Sequence, residues 1–142
     1  MKLVMIGHGM VGHKFIEALL EQAGDDVEIT ILAEEPRLAY DRVHLTEYFT
    51  GKSAKDLTLC RSDFADAYGI DLRLSTKACA IDPVHKTVTL HDGEFIAYDK
   101  LVLATGSYAF VPPIPGHDRH NCFFYRTIDD LDALKQASLN AK

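Results

Sequence analysis

No stretch of this 142-residue chain approaches the about 20 consecutive apolar residues that a membrane-spanning helix needs. Its opening residues, MKLVMIGHGM, also lack the long apolar segment and small-residue cleavage site of a secretory signal. Both absences set the expectation of a mature, soluble, cytoplasmic protein with no membrane contact. Basic charge is scarce too: 15 Lys and Arg stand against 21 Asp and Glu, a net charge of -6. Without a basic stripe for phosphate backbones, nucleic acid is excluded as the main partner. The three cysteines, Cys60, Cys79 and Cys122, are odd in number and far apart. They build neither a disulfide framework nor a C-x-x-C pair, so they read as reduced structural thiols. Internal repeats and low-complexity segments are missing as well. What remains is ordinary globular composition, 47% hydrophobic and 25% charged, at a length that buries a real core.

The periodicities place Lys2–Ile6 as a short buried strand and Met10–Gln22 as a helix with an apolar stripe. Gly24 and the two aspartates after it stop that helix, and Val27–Ala33 is a second strand. This βαβ unit calls for parallel strands. Residues 34–61 are irregular, with only short helical stretches, and long loops of this kind often carry function. A helical turn at 63–68 and a strand at 70–74 follow. Strands at 78–82, 87–90 and 95–97, with a hairpin turn at Asp92-Gly93, then make a small antiparallel meander. Leu101–Ala104 reads as another buried parallel strand. VPPIPG (111–116) is a boundary, because proline lacks the amide donor and fixes its own dihedral. Cys122–Tyr125 is a candidate strand, and Ile128–Leu139 a helix begun by Thr127 with Asp129 and Asp130 in its first turn.

IGHGMVGHKF, residues 6–15, holds three glycines spaced G-x-G-x-x-G between the first strand and the first helix. Gly7 permits the tight turn, Gly9 lets a phosphate approach the backbone, and Gly12 lets helix and strand pack closely. The amides of Met10 and Val11 lie at the helix start, where unpaired donors and the helix dipole favour a pyrophosphate. Glu34 follows the second strand, 22 residues after Gly12, near the spacing at which a carboxylate accepts from ribose hydroxyls. Glu35 stands beside it, and one of the two is expected to face solvent, with Glu34 the favoured ligand. The glycine loop by itself does not separate FAD from NAD.

The later chain does. The meander followed by YDKLVLATGSYAFVPPIPG resembles the FAD-binding domain of the two-dinucleotide-domain flavoprotein reductases, in which the "ATG" (Ala104, Thr105, Gly106) passes close to the cofactor. The loop EEPRLAYDRVHLTEYF, residues 34–49, looks like the corresponding loop of the NAD(P)H-dependent assimilatory nitrite reductase large subunits, and CFFYRTIDDLDAL near the end is similar to the same group. Related reductases commonly read Y-x-R-P-x-L-S-K here. Arg42 matches the arginine that lies near the FAD pyrophosphate, whereas Glu47 occupies the lysine's place, and the lysine's role does not transfer to it.

The resemblance implies a Rossmann-like FAD/NAD(P)-binding α/β fold in three layers, ββα, incomplete at its C-terminus. Residues 1–116 would be the N-terminal part of the FAD-binding domain, and residues 117–142 a segment leading toward an absent NAD(P)H-binding domain. In the full-length parent, NAD(P)H reduces FAD, and electrons pass through an iron-sulfur cluster and sirohaem to reduce nitrite to ammonia. The implied partners are the missing remainder of the large subunit and a small subunit, with association of copies through an exposed face a further possibility. Other readings stay open: a ferredoxin or rubredoxin reductase-type flavoprotein, or a stand-alone nucleotide-binding regulatory module. The redox cysteine pair of the disulfide reductases is missing from residues 6–49, which sets that subgroup aside.

No catalytic residue and no metal ligand is assigned. His117 and His120, in H-D-R-H, lack a third ligand at a recognisable spacing and read as solvated loop residues. His8, inside the glycine loop, is expected to be exposed. His44 receives no proton-transfer role, and nothing near Cys60 in the sequence would depress its pKa.

Overall fold

The structure, a computed structural model, describes residues 1–22 and 26–139. The helix stop expected at Gly24 and Asp25 lies outside the described residues. Two compact units emerge: Met1–Tyr40 with Thr58–Gly106, and Asp41–Leu57 with the chain from Ser107 onward.

The first unit holds a parallel sheet of β1 (Lys2–Ile6), β2 (Glu28–Leu32), β3 (Asp71–Arg73) and β7 (Lys100–Leu103), in the order β3-β2-β1-β7. All of its ladders are parallel, with Met5 opposite Ile31 and Val102. Helix α1 (Met10–Gln22) connects β1 to β2, and one further helical turn, α2 (Phe64–Ala67), precedes β3. Strands β4 (Ala78–Asp82), β5 (Thr87–Leu90) and β6 (Phe95–Ala97) form a separate antiparallel sheet.

Alternation along β1 decides which layer lies where. Leu3 and Met5 point to one side, into a core with Ile16 of α1, Ile29, Ile31, Phe64 and Ile70. Val4 points to the other, against Leu32 and the meander's Val88 and Leu90, with Ile6 packed beside them. Both faces of the central sheet are covered, so its strands read as unbroken apolar runs. The result is the expected α/β fold: helices, a parallel sheet, and an antiparallel sheet in three layers. Met5, Ile16 and Ile31 are fully buried, each adding about 1.5–3 kcal/mol relative to exposure.

Strand β7 is parallel as expected, but it is not buried. It is outermost in the sheet order, with β1 its one partner among the described residues, and Leu103 remains 61% exposed.

In the second unit, a 3-10 turn spans Leu45–Thr50 and closes on Gly51. Helix α3 (Ile128–Leu139) opens with a reciprocal cap: Thr127 Oγ1 accepts from the Asp130 amide at 3.2 Å, and Asp130 Oδ2 accepts from the Thr127 amide at 2.8 Å. Tyr48 donates to Asp132, and the Lys135 ammonium sits 3.5 Å over the Tyr48 ring. The strand expected at Cys122–Tyr125 does not form. Among the described residues that segment has no ladder partner, its chain turns through a bond from the Cys122 amide to the Arg119 carbonyl, and its side chains stay exposed.

Candidate nucleotide site at the glycine loop

Three residues carry the chain from β1 to α1, and the constraints on its glycines differ. Gly7 has φ +102° and donates its amide to Leu32 O at 2.8 Å. A Cβ at Gly7 would lie 2.3 Å from the Ala104 carbonyl oxygen, so the loop is pressed onto the end of β7. At Gly12 a Cβ would meet Gly7 O at 2.7 Å and the Met5 methyl at 3.3 Å, which is helix packed directly on strand. Gly9 is the reverse case. Its Cβ direction meets nothing within 4 Å. The first intrahelical bond runs from the His13 amide to Gly9 O at 2.9 Å, leaving the amides of Met10, Val11 and Gly12 in the first turn, where donors have no helical acceptor. No acidic residue occupies that turn. The positive end of the helix dipole therefore meets open space over a bare backbone.

Ala104 belongs to this arrangement. Its amide donates to Ile6 O at 2.8 Å, and its carbonyl is the group that forbids a side chain at Gly7. Thr105 and Gly106 follow as exposed residues. At the end of β2, Glu34 is exposed and accepts from Lys77 Nζ at 2.8 Å, while the partly buried Glu35 accepts from Tyr40 OH at 2.7 Å. One carboxylate of the pair does face solvent, and it is Glu34. Lys77 was not legible beforehand because it lies 43 residues away. Backbone bonds from Thr76 N to Ala33 O (2.8 Å) and from Ser75 N to Glu35 O (3.2 Å) bring its loop to the strand end. Arg42 belongs to the second unit, where its guanidinium donates to Arg126 O at 3.1 Å. There too, Asp41 holds His44 Nδ1 at 2.6 Å, and that bond raises the His44 pKa.

His8 corrects an expectation. Only 8% exposed, it stacks on Phe64 of α2 (6.5 Å between centroids, 18°) and meets the edge of His13 (5.7 Å, 78°), which is itself 3% exposed. Both ring nitrogens of His8 are buried and find no hydrogen-bond partner among the described residues. Burial, with the neighbouring His13 as a smaller cause, lowers the His8 pKa to about 4. His13 is also lowered, first by burial, against the opposing pull of Glu17, whose Oε1 stands 3.5 Å from Nε2. No local pattern announces this cluster, since Phe64 comes from a distant element. Burial likewise pushes the Cys60 thiol up, as suits a packing residue. His117 and His120 are exposed.

The family model for pyridine nucleotide-disulphide oxidoreductases matches residues 1–142. The chain belongs to that family. It is 49% identical over 141 residues to the nitrite reductase [NAD(P)H] large subunit of Klebsiella oxytoca, covering 99% of this chain and 15% of that protein. It is 44% identical over 142 residues to the nitrite reductase (NADH) large subunit of Escherichia coli K12, covering 99% and 17%. Among solved structures, NADH:rubredoxin oxidoreductase from Clostridium acetobutylicum superimposes with a TM-score of 0.82 at 35% identity, over 94% of this chain and 34% of that one. The chain thus spans about a sixth of the nitrite reductase subunits it resembles and about a third of the rubredoxin reductase. The family is one of oxidoreductases, and the chain shares its Rossmann-like fold. No helix among the described residues is long and apolar enough to cross a membrane.

Proposed function

We propose that this chain is the FAD-binding portion of a nitrite reductase large subunit. One observation carries the reading: of the three motif glycines, Gly7 and Gly12 are closed by protein atoms, while Gly9 opens onto free space beside the first-turn amides. That is the cradle a diphosphate requires. The amides of Met10, Val11 and Gly12 would hold the pyrophosphate, and Glu34, with Glu35 behind it, the adenosine ribose. Ala104, Thr105 and Gly106 would border the cofactor; a phosphate role for Arg42, which belongs to the other unit, rests on the resemblance of its loop alone.

Bound FAD supplies the redox chemistry, accepting a hydride from NAD(P)H and passing electrons onward. The protein's part is binding, orientation and charge. In the parent, an iron-sulfur cluster and sirohaem would carry those electrons to nitrite, giving ammonia. Residues 1–116 then form the N-terminal part of the FAD domain, residues 117–142 lead toward the NAD(P)H domain, and the remainder of the large subunit and a small subunit are the partners. A ferredoxin or rubredoxin reductase-type parent is the second reading, favoured by the 35% identity to the rubredoxin reductase.

Titration of the purified chain with FAD, NADH and ADP tests the proposal. Saturable FAD binding in competition with ADP is expected. Gly9→Ala should weaken it about tenfold or more, a loss of at least ~1.4 kcal/mol, with little change in melting temperature because a Cβ there meets no protein atom within 4 Å. Selective NADH binding, or no binding at all, overturns the reading.

A further inference from the structure

The glycine loop carries a titratable group that the cofactor reading does not use. We propose that His8 couples proton uptake to anion occupancy of the loop, so that FAD binds more tightly as the pH falls from about 7 to about 5. This rests on the FAD reading above.

His8 is the residue between Gly7 and Gly9, and adjacent Cα atoms lie about 3.8 Å apart. Its backbone therefore adjoins the bare Gly9 that faces the proposed diphosphate, and its ring rests on Phe64 and His13 behind the loop. The ring is only 8% exposed, and a charge in so dry a setting is screened less than one in water. Nothing now compensates a charge there. From α2 it faces Phe64, which is uncharged; from α1 it faces His13, which repels a second proton. Glu17 and Lys14 act on His13 and do not figure among the causes at His8. Both His8 nitrogens are without a hydrogen-bond partner among the described residues, so burial first and His13 second set its preference for the neutral ring.

A diphosphate at the neighbouring amides supplies the missing negative charge and favours the protonated imidazole. Linkage is reciprocal: whatever raises the proton affinity of His8 on binding must raise FAD affinity when His8 is protonated. The effect starts from a pKa of about 4, so it is small at neutral pH and grows toward pH 5. The FAD diphosphate stays ionised throughout that range and does not itself supply the proton change.

Calorimetric titration of the chain with FAD at about pH 5.5, in two buffers of different ionisation enthalpy, measures the protons taken up. A fraction of a proton per FAD is expected, with affinity about fourfold tighter at pH 5 than at pH 7, as a rise of roughly 1.5 units in one pKa requires. H8N should flatten both, whatever its affinity at pH 7. Should H8N fail to fold, the ring nitrogen resonances of His8 in the wild-type chain, followed against pH with and without FAD, give the same answer: the titration must move up by roughly 1.5 units. FAD binding with pH-independent affinity and no proton exchange overturns the coupling and leaves the FAD reading standing. Uptake that persists in H8N belongs to another group and also overturns it. No FAD binding at either pH removes the FAD reading and the coupling together.

Discussion

Gly7 combines two constraints that a side chain cannot meet at once. Its φ of +102° is a conformation L-residues rarely adopt, and its Cβ direction runs into the backbone of Ala104 rather than into a side chain that could swing away. Gly7→Ala should cost about 2–4 kcal/mol, read from urea unfolding, as strain and backbone displacement add. That loss contrasts with the small stability change expected for Gly9→Ala, whose Cβ meets nothing within 4 Å, and the contrast separates structural from binding glycines. The spacing of the motif was legible because each position has its own physical reason. His8 was not, because the ring that covers it is supplied by Phe64 from another element. Its burial has a measurable consequence. With a folded pKa of about 4 against the ordinary 6.5, the unfolded chain takes up a proton first as the pH falls. The stability associated with His8 is therefore complete above about pH 6.5 and drains away down to about pH 4, by about 3 kcal/mol in all. A chemical-denaturation series across that window checks it; stability that is flat between those limits refutes the burial of His8.

Elements with a clear period came out with the expected bounds. Strand β1 and helix α1 agree at both ends, and the three meander strands match residue for residue, because strict alternation and a 3.6-residue stripe leave few alternatives. Strands β2 and β3 are shorter than expected, the ladder ending before the apolar pattern does. Misreadings arose where the decisive fact is a neighbour. Cys122–Tyr125 has strand-like residues but no edge to pair with among the described residues, and β7 has a buried strand's sequence at the outside of the sheet order. Helix α3 was legible because its start is chemical: Thr127 and Asp130 satisfy each other's amides, and Asp130 also accepts from Arg126 N at 3.0 Å. Asp130→Ala should therefore cost more than Thr127→Ala, about 1 kcal/mol for the threonine and up to about 2 for the aspartate. Thermal melts of the two variants order them, and equal losses would argue against the reciprocal cap.

At the scale of the whole molecule, the question is what one glycine loop can accomplish. Moving a hydride from a nicotinamide to a flavin needs both rings held face to face, and each dinucleotide needs its own anion cradle. The sequence has one G-x-G-x-x-G, at residues 7–12, and the chain spans only 15–17% of the nitrite reductase subunits it resembles. If one cradle serves one dinucleotide, these residues orient the flavin and not the nicotinamide, and orientation is worth a large share of the barrier. The chain loaded with FAD should then oxidise NADH no faster than free FAD at equal concentration, with ferricyanide as acceptor and the loss of NADH absorbance as readout. Adding back the rest of a homologous large subunit should restore turnover if the loop presents FAD as proposed. FAD-dependent turnover well above free flavin by the chain alone would mean that these residues also build a nicotinamide site, and the division of labour between the two dinucleotide domains would have to be redrawn.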